Sequence, residues 1–134
     1  MAVFGKKPNG KPFRIALRDP KDAQGSVGVL LLPEGSVLSV SGDYERYVTI
    51  DGKNYHHILD SKTGYPCASG LSGVAVICED GALADALSTA LLCMGYDKAM
   101  ELYQFGTYAF EAVFVTSDGE VISTKGLDGI FVEE

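Results

Sequence analysis

The chain has 134 residues, 46% of them hydrophobic and 22% charged, which suffices for one packed core and is too short for two ordinary domains. Its formal net charge of -7 and pI near 4.7 argue against a nucleic-acid binder, whose affinity depends on a basic surface. No apolar run reaches the roughly 18 residues of a membrane-spanning helix, and no charged-then-apolar leader opens the chain, so no membrane insertion by this chain is expected.

The opening MAVFGKKPNGKPFR does not read as a natural N-terminus, so upstream sequence is expected. The cations Lys6, Lys7, Lys11, Arg14 and Arg18 read as a solvated surface. PFRIALRDP alternates, with Phe13, Ile15 and Leu17 on one side, and predicts a strand. SVGVLLLPEG and SVLSVSGDYERYVTI predict further strands, punctuated by Pro33-Glu34-Gly35 and Gly42-Asp43. Asp51-Gly52 inside YVTIDGKNYHHILD is a two-residue hairpin signal.

That hairpin leads into HHILDSKTGYP, residues 56 to 66. On an extended strand His56 and His57 point to opposite faces, so they cannot both serve one site and one is expected at the surface. The absence of an HxH or HxxxH pair also counts against a histidine metallohydrolase. Asp60 and Thr63 sit in a turn in which Gly64 can take a positive φ and Pro66 stops the strand. Cys67, Cys78 and Cys93 have no CxxC spacing, and their odd number leaves at least one unpaired, so structural zinc is not expected. Cys78 and Cys93 lie in apolar runs and are expected as small buried hydrophobes.

LSGVAVICE predicts a buried strand. DGALADALSTALLCMG then predicts a helix over about 80–95, with Leu83, Leu87, Ala90, Leu91 and Met94 at the helical period, Asp80 as cap and Gly95 as stop. A shorter helix, DKAMELYQF, follows, and YAFEAVFVTSDGEVISTKG closes the chain with strands turned at Ser117-Asp118-Gly119. Strands and helices are segregated, which predicts an α+β fold with a largely antiparallel sheet packed on the first helix.

Between Gly81 and Tyr96 the one charged residue is Asp85. Because the segment is apolar nearly all round, that carboxylate is expected to be buried and in need of compensation. Thr89 lies one turn further on the same face, with Ser88 beside it. Carboxylate plus hydroxyl is hard-oxygen chemistry that suits Mg²⁺; the alternative is Asp85 as a buried polar anchor bonded to a neighbouring loop. On the residues alone both readings stay open.

Ser41-Gly42-Asp43-Tyr44-Glu45, then His56 to Pro66, then Ala84 to Ala90 with Met94-Gly95 together resemble the ApbE family, flavin transferases also described as thiamin biosynthesis lipoproteins. The resemblance extends over almost the whole chain, since NGKPFRIALRDP is also similar to the strand before the first motif. Ser61 stands where the family has proline, a small change in turn stiffness. The family's N-terminal half, with its lipoprotein signal and part of the flavin enclosure, has no counterpart here. The resemblance therefore implies a single domain over residues 1–134, similar to the C-terminal part of such an enzyme.

What the resemblance implies for activity is Mg²⁺-dependent transfer of FMN from FAD, the substrate, to a Thr or Ser of an acceptor flavoprotein, with release of AMP. Asp85 and Thr89 would be metal ligands, His57 the general base, and Ser41, Gly42, Asp60 and Thr63 flavin-binding or site-shaping residues. A lipoprotein parent implies the extracytoplasmic face of a bacterial membrane. The other class of function is a catalytically silent flavin-binding or interaction module.

Overall fold

The computed structural model describes residues 1–133 and contains nine strands and two α-helices among them. In chain order these are β1 (Phe13–Arg18), β2 (Ser26–Leu32), β3 (Val37–Gly42), β4 (Tyr47–Ile50), β5 (Lys53–His56), β6 (Leu71–Cys78), α1 (Gly81–Met94), α2 (Tyr96–Phe105), β7 (Glu111–Thr116), β8 (Val121–Ser123) and β9 (Phe131–Glu133). A four-stranded sheet has the order β3-β6-β7-β8, a three-stranded sheet the order β1-β2-β9, and β4 and β5 pair only with each other. All of these strand pairings are antiparallel, so the expected α+β class holds.

Period-two alternation in the central strands separates the core into two layers. Val74 and Val76 of β6 and Ala112 and Phe114 of β7 face α1, against Ala84, Leu87, Leu91 and Leu92. The intervening Ala75, Ile77, Val113 and Val115 face the other sheet, against Leu17, Val27, Leu30 and Leu32. With both faces covered, every residue of β6 is buried, which is why LSGVAVIC reads as a continuous apolar run. Asp51 and Gly52 both take positive φ, 51° and 76°, as a tight two-residue hairpin turn requires.

Asp80 caps α1 by accepting from the amides of Ala82 and Leu83 at 2.9 and 3.0 Å, and Gly95 at φ 80° ends it. The buried stripe of α1 is Ala84, Leu87, Ser88, Leu91 and Leu92, whereas the expected stripe member Met94 is 41% exposed. Helix α2 starts one residue earlier than DKAMELYQF, at Tyr96, whose ring meets Phe114 edge-on at 5.3 Å. The unexpected strand β9 pairs with β2, and Gly28 supplies its room: a Cβ there would stand 2.5 Å from the Phe131 ring.

The expectation for Cys93 is corrected. Cys93 is joined to Cys67 in a disulfide with Cα atoms 5.2 Å apart, and Cys78 is the buried free thiol, donating to the Asp80 carbonyl at 3.0 Å. An apolar context cannot reveal such a bond, because it depends on a turn 26 residues away returning to the helix end. Closing a loop of that size restricts the unfolded chain by about 3.5 kcal/mol on chain-entropy grounds. Reduction should therefore lower the unfolding free energy of this chain by that order, moving the urea midpoint down with an altered slope, and denaturant titrations with and without a phosphine reductant check it.

Candidate functional site

Strand β3 lies beside β6, and α1 packs over both. Alternation along β3 sends Leu38 into the inter-sheet core and turns Ser39 and Ser41 toward the helix. Ser39 Oγ donates to Asp85 Oδ1 at 3.1 Å, while Ser41 Oγ stands 2.8 Å from Ser88 Oγ and 3.1 Å from Thr89 Oγ1. Ser88 is fully buried, and its hydroxyl is satisfied by the Asp85 carbonyl at 3.0 Å and by the serines of β3. The helical spacing of Asp85, Ser88 and Thr89 and the strand spacing of Ser39 and Ser41 thus form one hydroxyl cluster around one carboxylate.

Asp85 itself is exposed, as is Thr89, which corrects the expectation of a buried charge. Helix α1 is apolar all round because small residues, Gly81, Ala82 and Ala86, occupy its open side beside Asp85. The reading of Asp85 as a buried anchor to a loop does not hold: it is exposed, accepts from Ser39 of β3, and borders a cleft.

That cleft, about 480 Å³, is lined by Ser41, Gly42, Glu45, Arg46, His57, Asp85 and Thr89, together with Val40, Ile58 and Leu59. His57 borders the same cleft as Asp85 and Thr89 of α1. Its backbone amide and its Nδ1 both meet the Arg46 carbonyl, each at 3.1 Å. A carbonyl only accepts, so Nδ1 carries the proton and Nε2 keeps a free lone pair in the neutral ring, the arrangement a general base needs.

His56 does different work. It is half-buried, its Nε2–H donates to the Cys67 carbonyl at 3.1 Å, and its buried Nδ1 has no partner among the described residues. In their hydrogen bonds the two histidines are divided between the hairpin base and the turn, although both border the groove lined by Tyr47, Tyr55 and Tyr65.

Asp60 and Thr63 do not line the cleft and instead build the turn beside it. Asp60 Oδ1 accepts from the Lys62 amide at 2.8 Å, its carbonyl accepts from the Gly64 amide at 2.8 Å, and Thr63 Oγ1 accepts from the Tyr65 amide at 3.3 Å. Gly64 takes φ 71°, as a residue of this turn must. Gly42 does permit close approach, and its neighbour Tyr44 uses it: a Cβ at Gly42 would stand 2.8 Å from Tyr44 Cζ. Ser39 and Arg46 complete the site without having been singled out in the sequence, where a serine two residues before Ser41 on the same strand face was the available signal; Glu45 borders the cleft as the last residue of the motif that begins at Ser41.

Burial raises the carboxyl of Asp43 above its ordinary value, opposed by the charge of His56 and by hydrogen bonds from its own amide and Ser72. A raised folded value means that the folded chain holds the proton more tightly. Asp43 thus contributes stability below the ordinary carboxylate pKa and loses that contribution as pH rises through the folded value. Asp43→Asn should accordingly flatten the fall in stability with rising pH just above about pH 4, which denaturation midpoints across that range would test.

Among the described residues no group of three or more His, Cys, Asp or Glu side chains is arranged to hold a metal. The donors around Asp85 are nonetheless all hard oxygens, one carboxylate with the hydroxyls of Thr89 and Ser41, and they open onto the cleft. This set fits a small hard cation that takes the rest of its shell from water or phosphate oxygens.

The sequence model of the ApbE family matches residues 1–114. The FAD:protein FMN transferase of Haemophilus influenzae is 34% identical over 122 residues, which cover 90% of this chain and 35% of that protein. The crystal structure of the ApbE protein of Thermotoga maritima superposes with a TM-score of 0.83 at 35% identity, over 96% of this chain and 41% of that one. The apo flavinyl transferase ApbE of Pseudomonas stutzeri gives a TM-score of 0.73 at 36% identity, over 97% and 40%. The chain therefore spans about a third of the length of the curated relatives it matches.

Proposed function

Because the chain belongs to the ApbE family, we propose that it supplies part of the active site of an FAD:protein FMN transferase, working as one unit over residues 1–134. The observation that carries this reading is the cleft that His57 shares with Ser41, Asp85 and Thr89, with Ser39 bonded to the Asp85 carboxylate. The reaction is attack of a Thr or Ser hydroxyl of an acceptor flavoprotein on the FMN phosphorus of FAD. One O–P bond forms, the pyrophosphate bond breaks, and AMP leaves.

In this scheme Nε2 of His57 takes the hydroxyl proton, and the hydrogen bond from Nδ1 to Arg46 holds the ring in the tautomer that can do so. Asp85 and Thr89 would hold Mg²⁺, whose chemistry when bound is to neutralise charge on the phosphoryl oxygens. Ser41 and Gly42 border the same cleft and would contact the flavin nucleotide, with Asp60 and Thr63 shaping the turn beside it. A disulfide persists where the surroundings are oxidising, which supports a location on the extracytoplasmic face of a membrane.

The chain's share of its relatives' length favours a second role for the isolated polypeptide, that of a flavin-binding module silent until the rest of the pocket is supplied. An assay of covalent flavin on an acceptor, read by flavin fluorescence after denaturing electrophoresis, distinguishes the two. Transfer by the assembled enzyme, dependent on Mg²⁺ and absent from the isolated chain, is the expected result. No transfer by the assembled enzyme would contradict the reading.

A further inference from the structure

We propose that the Cys67–Cys93 disulfide is a positioning clamp that sets the distance between His57 and the Asp85 and Thr89 pair, an inference that rests on the transferase reading above. Three observations carry it. First, Asp85, Thr89 and Cys93 recur at four-residue intervals, so they lie along one stripe of α1. The disulfide thus ties the turn to the stripe that presents the carboxylate and hydroxyl.

Second, the hairpin that precedes His57 has little to hold it to the rest of the fold. Strands β4 and β5 pair only with each other, and all of β4 is exposed. His57 itself is bonded through its amide and its ring to Arg46, at the base of that same hairpin. Those bonds fix His57 relative to the hairpin but leave open where the hairpin stands relative to the helix.

Third, Cys67 is the point where the turn gathers its bonds. Its amide donates to the Ile58 carbonyl at 3.0 Å, its carbonyl accepts from His56 Nε2 at 3.1 Å, and Leu59 and Pro66 form a bridge just before it. The residues bonded to Cys67 thus flank His57 on both sides. The buried side chain of Ile58 adds a noncovalent anchor in the α1 layer, and the disulfide adds the covalent one. A catalytic group displaced by about 1 Å can lose up to a hundredfold in rate, so a clamp at this point acts on turnover through His57 without touching substrate.

Reduction by a small dithiol opens the clamp with a defined balance. Two electrons and two protons pass from the dithiol, which closes to a cyclic disulfide, and Cys67 and Cys93 become free thiols. In this chain, under conditions where it stays folded, amide hydrogen exchange should quicken about tenfold at Asp60, Gly64 and Cys67 on reduction, with β6 and β7 unchanged. In the assembled enzyme kcat should fall about tenfold or more, with KM for FAD altered less than about twofold. Reoxidation should restore kcat in the wild type, whereas Cys67→Ser/Cys93→Ser should remain at the reduced level and ignore the dithiol.

Equal kcat in the oxidised and reduced enzymes would overturn the clamp, as would unchanged exchange in the turn. A parallel rise in KM would do so too, because it would mark general loosening of the pocket. If the oxidised enzyme transfers no FMN at all, the transferase reading fails, and the exchange measurement alone decides whether the disulfide holds the turn.

Discussion

His57→Asn should lower FMN transfer by roughly a hundredfold to ten-thousandfold while FAD binds about as well as before. His57 is exposed in the cleft, and its Nδ1–H is committed to the Arg46 carbonyl. Asparagine can keep a bond to that carbonyl but offers no basic nitrogen at the Nε2 position. Loss confined to kcat is the signature of a group that acts in the transition state. His56→Asn removes instead the bond to the Cys67 carbonyl, worth about 1 kcal/mol of stability, and should reduce transfer far less. Equal losses for the two substitutions, or lost FAD affinity in His57→Asn, would remove His57 from the role of base.

Asp85→Ala should abolish the Mg²⁺-dependent part of turnover in the assembled enzyme and leave the chain folded. Asp85 is exposed, and its carboxylate accepts a hydrogen bond from Ser39. Its loss therefore strands no buried charge, and alanine is the better helix former. A stability change within about 0.5 kcal/mol is expected. Millimolar Mg²⁺ should shift the thermal melt of the isolated chain very little, because one carboxylate and its hydroxyl neighbours leave most of an octahedral shell to water. A large Mg²⁺-induced stabilisation of the wild type, absent in Asp85→Ala, would mean that the site is already complete in this chain.

Much of this was legible because the relevant signals are local. The Asp51-Gly52 turn, the Asp80 cap and the Gly95 stop each depend on one or two residues whose backbone preferences are strong, and each stands where expected. The proximity of Ser41 to Asp85 and Thr89 was legible only through the family motifs, since β3 and α1 are more than forty positions apart in sequence. What stayed hidden was decided by packing partners. Asp85 sits in an apolar sequence but on the open side of α1, because hydrophobicity alone does not distinguish alanines at a surface from leucines in a core. Cys93 lies among leucines yet meets Cys67, and β9 owes its place to the space over Gly28. Asp60 and Thr63 belong to the same motif as His57, but their side chains are used by the turn itself.

The most direct measurement of the central claim, that His57 and the Asp85 cluster act on one substrate across one cleft, is the ratio of AMP released to flavin covalently attached. It should be followed in the assembled enzyme with FAD, Mg²⁺ and an acceptor flavoprotein. One AMP for each flavin attached is expected in the wild type, with both products falling together in His57→Asn and in Asp85→Ala. AMP release that continues at the wild-type rate in either variant, or flavin attachment without AMP, would contradict it.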